Sequence, residues 1–388
     1  MISKLAISNY RSIMDTTIPM GNLTLVTGAN GTGKSNLYRA LRLLSECANG
    51  SVVNAIAREG GLSSIFWAGP ELVRVKKGDT YVNYSTPGKA KRLRVGFSGE
   101  DFSYSISLGL PKPVPQHISM FPLDPEIKYE HLWQGDIWRP ASVLVSRKGG
   151  LVETKENSVK STIATELYPY DSIFTQCANP NLTPELLLLR EQIRGWRFYD
   201  QFPSDALAAS RSPQIGTRTM ALAHDGRDLA AALRTIMEIG NEDTLKETIH
   251  DAFPGSSVEI VWLGSSLAIQ FWQSGLNRPM SATELSDGTL RYLLWTAALL
   301  TPRPPGLMVL NEPETSLHPD LIPALGRLIL KAAHNTQVWV VSHSSSLINE
   351  LSNSPICTRV ELEKSAGVTT IRGQGLLNKS PWKWPAGS

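Results

Sequence analysis

Eight consecutive residues carry the most specific chemistry in the chain. Gly28-Ala29-Asn30-Gly31-Thr32-Gly33-Lys34-Ser35 fit the spacing G-x-x-x-x-G-K-[ST] at every fixed position. Glycines let the backbone curl so that successive N–H groups point inward, and a helix starting at the lysine adds the positive end of its dipole. Such a loop is suited to cradling phosphates. Lys34 would reach the outer phosphates, the Ser35 hydroxyl would ligate Mg²⁺, and Asn36 belongs with the binding residues. The bland alternative is a glycine turn that happens to contain Lys-Ser.

The elements around the loop suit that chemistry. Leu23–Thr27 is a compact β-prone run, and Leu37, Ala40, Leu41 and Leu44 recur at helical spacing, so the loop joins a strand to a helix. A strand over Ile2–Ile7 precedes them.

A second set of candidates lies near the other end. Leu307–Leu310 is an apolar strand running into Asn311 and Glu312, and a parallel sheet delivers such residues to its ligand edge. A carboxylate at Glu312 could orient an attacking water, or it is an N-cap or structural acid before Pro313. Ser286 and Gly288 stand before a helix expected over Thr289–Leu300. They make either an anion site or a plain helix cap. His343 follows a strand over Gln337–Val341, and a lone histidine there is commonly structural.

Together these motifs resemble the predicted ATPases related to RecF, SMC heads and the ATPase domains of OLD-type nucleases. The run Asn311-Glu312-Pro313-Glu314-Thr315-Ser316-Leu317-His318-Pro319 resembles their Walker B and D-loop region. Leu285-Ser286-Asp287-Gly288-Thr289 looks like the ABC signature, and Ser342-His343 like the switch histidine. The resemblance implies an α/β P-loop NTPase fold of the ABC-ATPase head type, with a mixed sheet and a compact α+β insert. It implies ATP and Mg²⁺ as ligands, with catalysis by Glu312, His343 and Lys34. Ser286 and Gly288 would meet the γ-phosphate held by a second copy in a homodimer.

By the same resemblance Arg11, in Asn9-Tyr10-Arg11-Ser12, would lie near the nucleotide, and Ser35 and Asn311 would hold the metal. Asn311 departs from the usual aspartate. An amide accepts a hydrogen bond from metal-bound water but supplies no charge, so slow hydrolysis is expected. A glutamine touching Mg²⁺ is expected for this class, and Gln134 and Gln176 are the candidates.

Composition bounds the rest. The 388 residues are 41% apolar, enough for a sizeable core, and 38 basic against 35 acidic side chains give a net charge of +3. That balance excludes a global electrostatic footprint for nucleic acid. Lys76-Lys77, Lys89 to Arg94 and Arg147-Lys148, with Tyr81 and Tyr84 nearby, make local clusters that read either as a nucleic-acid backbone contact or as solvated hairpin faces. Cys47, Cys177 and Cys357 lie too far apart for a framework, and the longest apolar run, Tyr292–Leu300, is too short to span a bilayer. A cytoplasmic protein without a membrane contact is the expectation.

The expected organisation is an N-terminal ATPase half over 1–98, a compact lobe over 99–280 and a C-terminal half over 281–388. Helices are expected over Pro184–Trp196, Asp228–Ile239 and Pro319–Ala333, and strands over Leu93–Phe97, Tyr104–Leu108, Val258–Trp262 and Leu267–Phe271. The proline run Pro111–Pro115 marks a loop. No heptads and no Asp-x-Asp element occur, which argues against an SMC coiled coil and a fused Toprim nuclease. Action on DNA or on a separately encoded effector nuclease or toxin is what the resemblance leaves.

Overall fold

A computed structural model describes residues 1–77, 80–85, 91–111, 120–156, 159–375 and 380–387. Lys89 and most of the Pro111–Pro115 run lie outside the described residues, as do the side chains of Lys76, Lys77, Tyr81 and Tyr84. The chain forms two compact units. The first comprises Met1–Gly21, Val26–Trp196 and Val360–Ser388, the second Asn22–Leu25 and Arg197–Arg359. The strands Leu23–Gly28 and Cys357–Ser365 each run from one unit into the other.

The first unit is built on an antiparallel sheet that has eight strands among the described residues. In spatial order they are Val159–Ala164, Leu151–Glu156, Val143–Lys148, Glu126–Gln134, Phe102–Gly109, Leu93–Gly99, Ile2–Tyr10 and Ile13–Pro19. Strand register decides which side chains share a face. Leu5 and Ile7 line up with Phe97 and Val95, and these with Tyr104 and Ile106. Helix Lys34–Ala48 packs on this apolar face and carries helix Pro184–Arg194 against it, while Phe97 lies 5.7 Å from Trp196 and Tyr104 4.6 Å from Phe174, ring to ring.

The opposite face is small and polar, with Ser8, Gly96, Ser105, Ser107 and His131 in adjacent registers. The chain's own segment 380–387 covers it. Trp382 lies 5.7 Å from Trp133 and 5.3 Å from Trp384, while Lys383 stands over Trp138 at 5.4 Å. Gly96 is required here, because a Cβ would stand 3.0 Å from the Trp382 ring and 2.8 Å from the Tyr104 carbonyl.

Both readings of the basic clusters fail at Arg147 in this sheet. Arg147 is not on a solvated or nucleic-acid-facing surface: it is fully buried and pairs with equally buried Glu130 at 2.8 Å. It also donates to the carbonyls of Gly149 and Tyr168, both at 2.7 Å, and to that of Asp171. Glu130 also accepts from Tyr104, Ser172 and the Ile173 N–H at 2.6, 2.5 and 3.0 Å. A buried pair is tolerable when further hydrogen bonds serve its charges, and here both Glu130 oxygens and all three Arg147 nitrogens have partners. Burial, with Glu130 beside it, pushes the Tyr104 hydroxyl well above its ordinary range and keeps it a donor. Arg94 is buried too, and among the described residues of these clusters Lys91, Arg92 and Lys148 retain exposure.

In the second unit the strands Arg197–Tyr199, Leu307–Asn311 and Gln337–Val341 run parallel, and the Val338 N–H donates to the Asn22 carbonyl at 2.7 Å. The helices Leu229–Ile239, Asp287–Leu299 and Ile322–Ala332 bury their apolar stripes in one core with these strands and with the hairpin Ser257–Leu263/Ser266–Trp272. The residues expected as one helix from Pro319 divide into a 3₁₀ turn, Pro319–Leu321, and an α-helix from Ile322. Among the described residues no helix is long and apolar enough to cross a membrane.

Candidate functional site

The phosphate loop belongs to the first unit. Strand Leu23–Gly28 ends at the first glycine and helix Lys34–Ala48 starts at the lysine, so the sequence reading of strand, loop and helix holds. Gly33 sits at φ 108°, a region costly for any other residue, and a Cβ there would stand 2.4 Å from the Thr369 hydroxyl. A Cβ on Gly28 would stand 2.6 Å from the Leu362 carbonyl oxygen. Both glycines are therefore steric necessities.

Inside the curl, Lys34 Nζ donates to the Gly28 carbonyl at 2.7 Å and to that of Ala29 at 3.2 Å, and the Thr32 hydroxyl donates to Ala29 O at 2.8 Å. Ser35 is exposed, with its hydroxyl at the helix N-terminus. A buttress supports the loop from outside. Thr369 donates to Thr32 O at 2.7 Å and shares a 2.6 Å contact with the Ser12 hydroxyl, which accepts from Asn36 at 2.8 Å. Sequence reasoning missed this support because Ser12 and Thr369 are 357 residues apart.

Arg11, at φ 50°, donates to Glu59 at 2.7 Å, and Tyr10 donates to the same carboxylate oxygen at 2.8 Å. Gln134 closes its strand in an exposed position, and Gln176 donates to Asp171 at 3.4 Å.

The second unit holds the other candidates. Asn311 ends its strand, and Glu312 follows at φ 50° with its N–H on the Val341 carbonyl at 2.8 Å. A left-handed glutamate is uncommon and carries strain, which here turns the chain sharply out of the sheet. The imidazole of His343 then lies 3.4 Å from Glu312 and 3.8 Å from Glu314, measured from Nδ1. Two carboxylates and one imidazole thus meet at the ends of adjacent parallel strands.

Glu314, quoted within the motif but given no role from sequence, has a buried side chain. One of its oxygens accepts from the Ser342 hydroxyl at 2.6 Å and from the N–H groups of His343 and Ser344 at 3.0 and 3.1 Å.

Ser286 caps the helix Asp287–Leu299, its hydroxyl accepting from the Thr289 N–H at 3.1 Å. Arg211, equally unforeseen, organises this turn from behind. It donates to the carbonyls of Ala282 and Leu285 at 2.9 and 2.8 Å and to Asp287 at 2.7 Å. Glu284 stiffens the turn's entry by accepting from Arg278 and Ser281, which holds its carboxyl down at about 2. Gly288 faces Ser316 O and His318 N across a gap in which a Cβ would stand 3.9 Å from each. Arg291, one turn on, donates to Thr315 O at 3.0 Å.

No group of three metal-ligating His, Cys, Asp or Glu side chains occurs among the described residues. The Ser35 hydroxyl and the Asn311 amide are each a neutral oxygen, which suits Mg²⁺ only when phosphate oxygens complete the shell.

A family profile described as "AAA domain, putative AbiEii toxin, Type IV TA system" matches residues 23–349. The chain belongs to that family and is thus an AAA-type ATPase-family protein. Its backbone is similar to the SMC head solved bound to the C-winged helix domain of ScpA, with a TM-score of 0.51 and 14% identity over 97% of this chain and 98% of that one. That likeness shows the fold of an ABC-type ATPase head. An SMC head from Pyrococcus furiosus, with an extended coiled coil and the C-terminal domain of ScpA, matches at a TM-score of 0.49 and 12% identity over 95% of each chain. The SMC head domain from Thermotoga maritima matches at 0.42 and 13% over 95% of this chain and 97% of that one. No curated protein matches the sequence.

Proposed function

We propose that the protein binds and hydrolyses ATP as an ABC-type ATPase that closes into a homodimer around two nucleotides and opens when they are spent. The observation that carries the reading is the carboxylate–imidazole cluster of Glu312 and His343 at 3.4 Å, in a chain that also holds a sterically enforced phosphate loop. In this reading Gly28 to Asn36 bind the triphosphate, with Lys34 on its outer phosphates and Arg11 nearby. Glu312 orients the attacking water and His343 hydrogen-bonds the γ-phosphate. Ser286 and Gly288, at the N-terminus of a 13-residue helix, offer a hydroxyl and free N–H groups to the partner's γ-phosphate. Ser35 and Asn311 would hold Mg²⁺, which supplies charge neutralisation on the phosphates.

The γ-phosphate alone distinguishes ATP from ADP at these contacts, so it provides the differential binding that a closing switch needs. The cycle would be coupled to DNA or to a partner effector, as in repair or antiviral defence, in the cytoplasm. Asn311 favours a second reading: a low-turnover, ATP-gated platform for a separately encoded nuclease or toxin. The family description, which names a toxin–antitoxin system, is compatible with a two-component arrangement.

Light scattering in the presence of ATP and Mg²⁺ tests the first reading. Glu312→Gln should bind ATP, lose at least about 100-fold in turnover, and accumulate as a dimer. A Glu312→Gln protein that stays monomeric in saturating ATP would sink the sandwich. DNA-stimulated turnover in the wild type would favour the first reading over the platform.

A further inference from the structure

We infer that Glu314 is a positioning residue that sets the relation of His343 to Glu312, so that the two strand-end loops carrying them move as one body. The inference rests on the hydrolytic reading of Glu312 and deepens it.

Glu314 stands two residues beyond Glu312, after the left-handed turn, and its side chain is only 5% exposed. Burying a carboxylate is costly unless donors replace its water. Here three donors, all from Ser342, His343 and Ser344, converge on one oxygen, and the Ser344 N–H also reaches the Ser342 hydroxyl at 3.1 Å. The backbone of the histidine is thus pinned on both sides of its Cα by a residue of the Glu312 turn. The second carboxylate oxygen, Oε2, is buried without a hydrogen-bond partner among the described residues. An unserved buried oxygen is paid for only where the rest of the group does something that an apolar side chain cannot. What it does here is hold three consecutive residues of the switch loop.

Two consequences follow from this arrangement. His343 is bracketed by two acceptors, Glu312 at 3.4 Å and Glu314 at 3.8 Å, so a small loop shift changes which carboxylate it addresses. Any displacement of the His343 backbone, as on meeting a phosphate, is also transmitted through Glu314 to the turn that carries Glu312. The geometry couples sensing to the residue that handles water, with no intervening element.

The test compares Glu314→Ala, Glu314→Gln and Ser342→Ala in the full chain, using steady-state ATPase kinetics and NMR of the His343 imidazole. Misplacement of a reacting group by about 1 Å costs on the order of 100-fold in rate. Glu314→Ala should therefore lower kcat about 10- to 100-fold with KM changed less than about 3-fold, and should shift the His343 ring resonances. Glu314→Gln keeps an acceptor for the three donors and should recover most of the turnover lost in Glu314→Ala. Equal kcat in wild type and Glu314→Ala, with His343 resonances unmoved, overturns the inference. If Glu314→Ala does not fold, Glu314→Gln and Ser342→Ala carry the comparison, and unchanged resonances in both count against it. A wild type without ATPase activity overturns the hydrolytic reading instead, while the His343 resonances still decide whether Glu314 positions that ring.

Discussion

The Arg211 guanidinium donates to the Asp287 carboxylate at 2.7 Å from a site only 8% exposed, joining residues 76 positions apart in sequence. Asp287 itself is 60% exposed, so the ion pair is well screened. The buried carbonyls of Ser204, Ala282 and Leu285, which also receive Arg211, carry more of its weight. Arg211→Ala would leave those acceptors unserved, costing roughly 2–4 kcal/mol by denaturant unfolding. If the reading of Ser286 and Gly288 holds, the same variant should also weaken ATP-dependent dimer formation. A stability change under about 0.5 kcal/mol would show that the turn holds itself.

Lys34→Ala removes the ammonium inside the phosphate loop. ATP affinity should fall at least about 10-fold, measured with a fluorescent ATP analogue, since a charge-assisted contact to phosphate is worth about 1.5–3 kcal/mol. Unaltered affinity would mean that the nucleotide binds elsewhere.

Asn311→Asp adds a charge where the ABC class usually has one. The variant should hydrolyse ATP faster or saturate at lower Mg²⁺ than the wild type. A Mg²⁺ titration of turnover identical to the wild type's would show that the neutral amide does not limit the reaction.

His131, 7% exposed and stacked on Tyr129, is held by burial at a pKa of about 4, below its ordinary value near 6.5. A depressed imidazole binds fewer protons folded than unfolded. The stability it confers is complete above the unfolded pKa and is lost as pH falls from about 6.5 through about 4, amounting to roughly 3 kcal/mol. His131→Phe keeps the ring and removes the titration, so its unfolding free energy should fall less over that window. Parallel pH profiles of the two proteins would rule the effect out.

How far the sequence speaks depends on whether a residue's partner is local. Pro184–Arg194 announces itself by helical spacing behind an N-terminal proline, and Leu307–Asn311 by an unbroken apolar run, signals contained within each element. Strand Val143–Lys148 does not, because Arg147 points into the core and breaks the expected alternation; read as a surface charge, it hides the strand. The same holds at the candidate site. The phosphate loop is written in eight adjacent residues, whereas the role of Glu314 exists only through Ser342, 28 residues later. Arg211 precedes the turn it organises by more than seventy positions and carries no motif. The strained φ of Glu312 likewise has no local signature, since glutamate is a poor choice for that conformation.

The Trp382–Trp384 segment gives the protein a built-in optical gauge. Four of its ten tryptophans, 133, 138, 382 and 384, gather on one sheet face where indoles sit within 6 Å of each other or of a lysine ammonium. Emission from such a cluster is dominated by mutual quenching and by how far water is kept away. Detachment of segment 380–387 would register as a change in intrinsic fluorescence without any label.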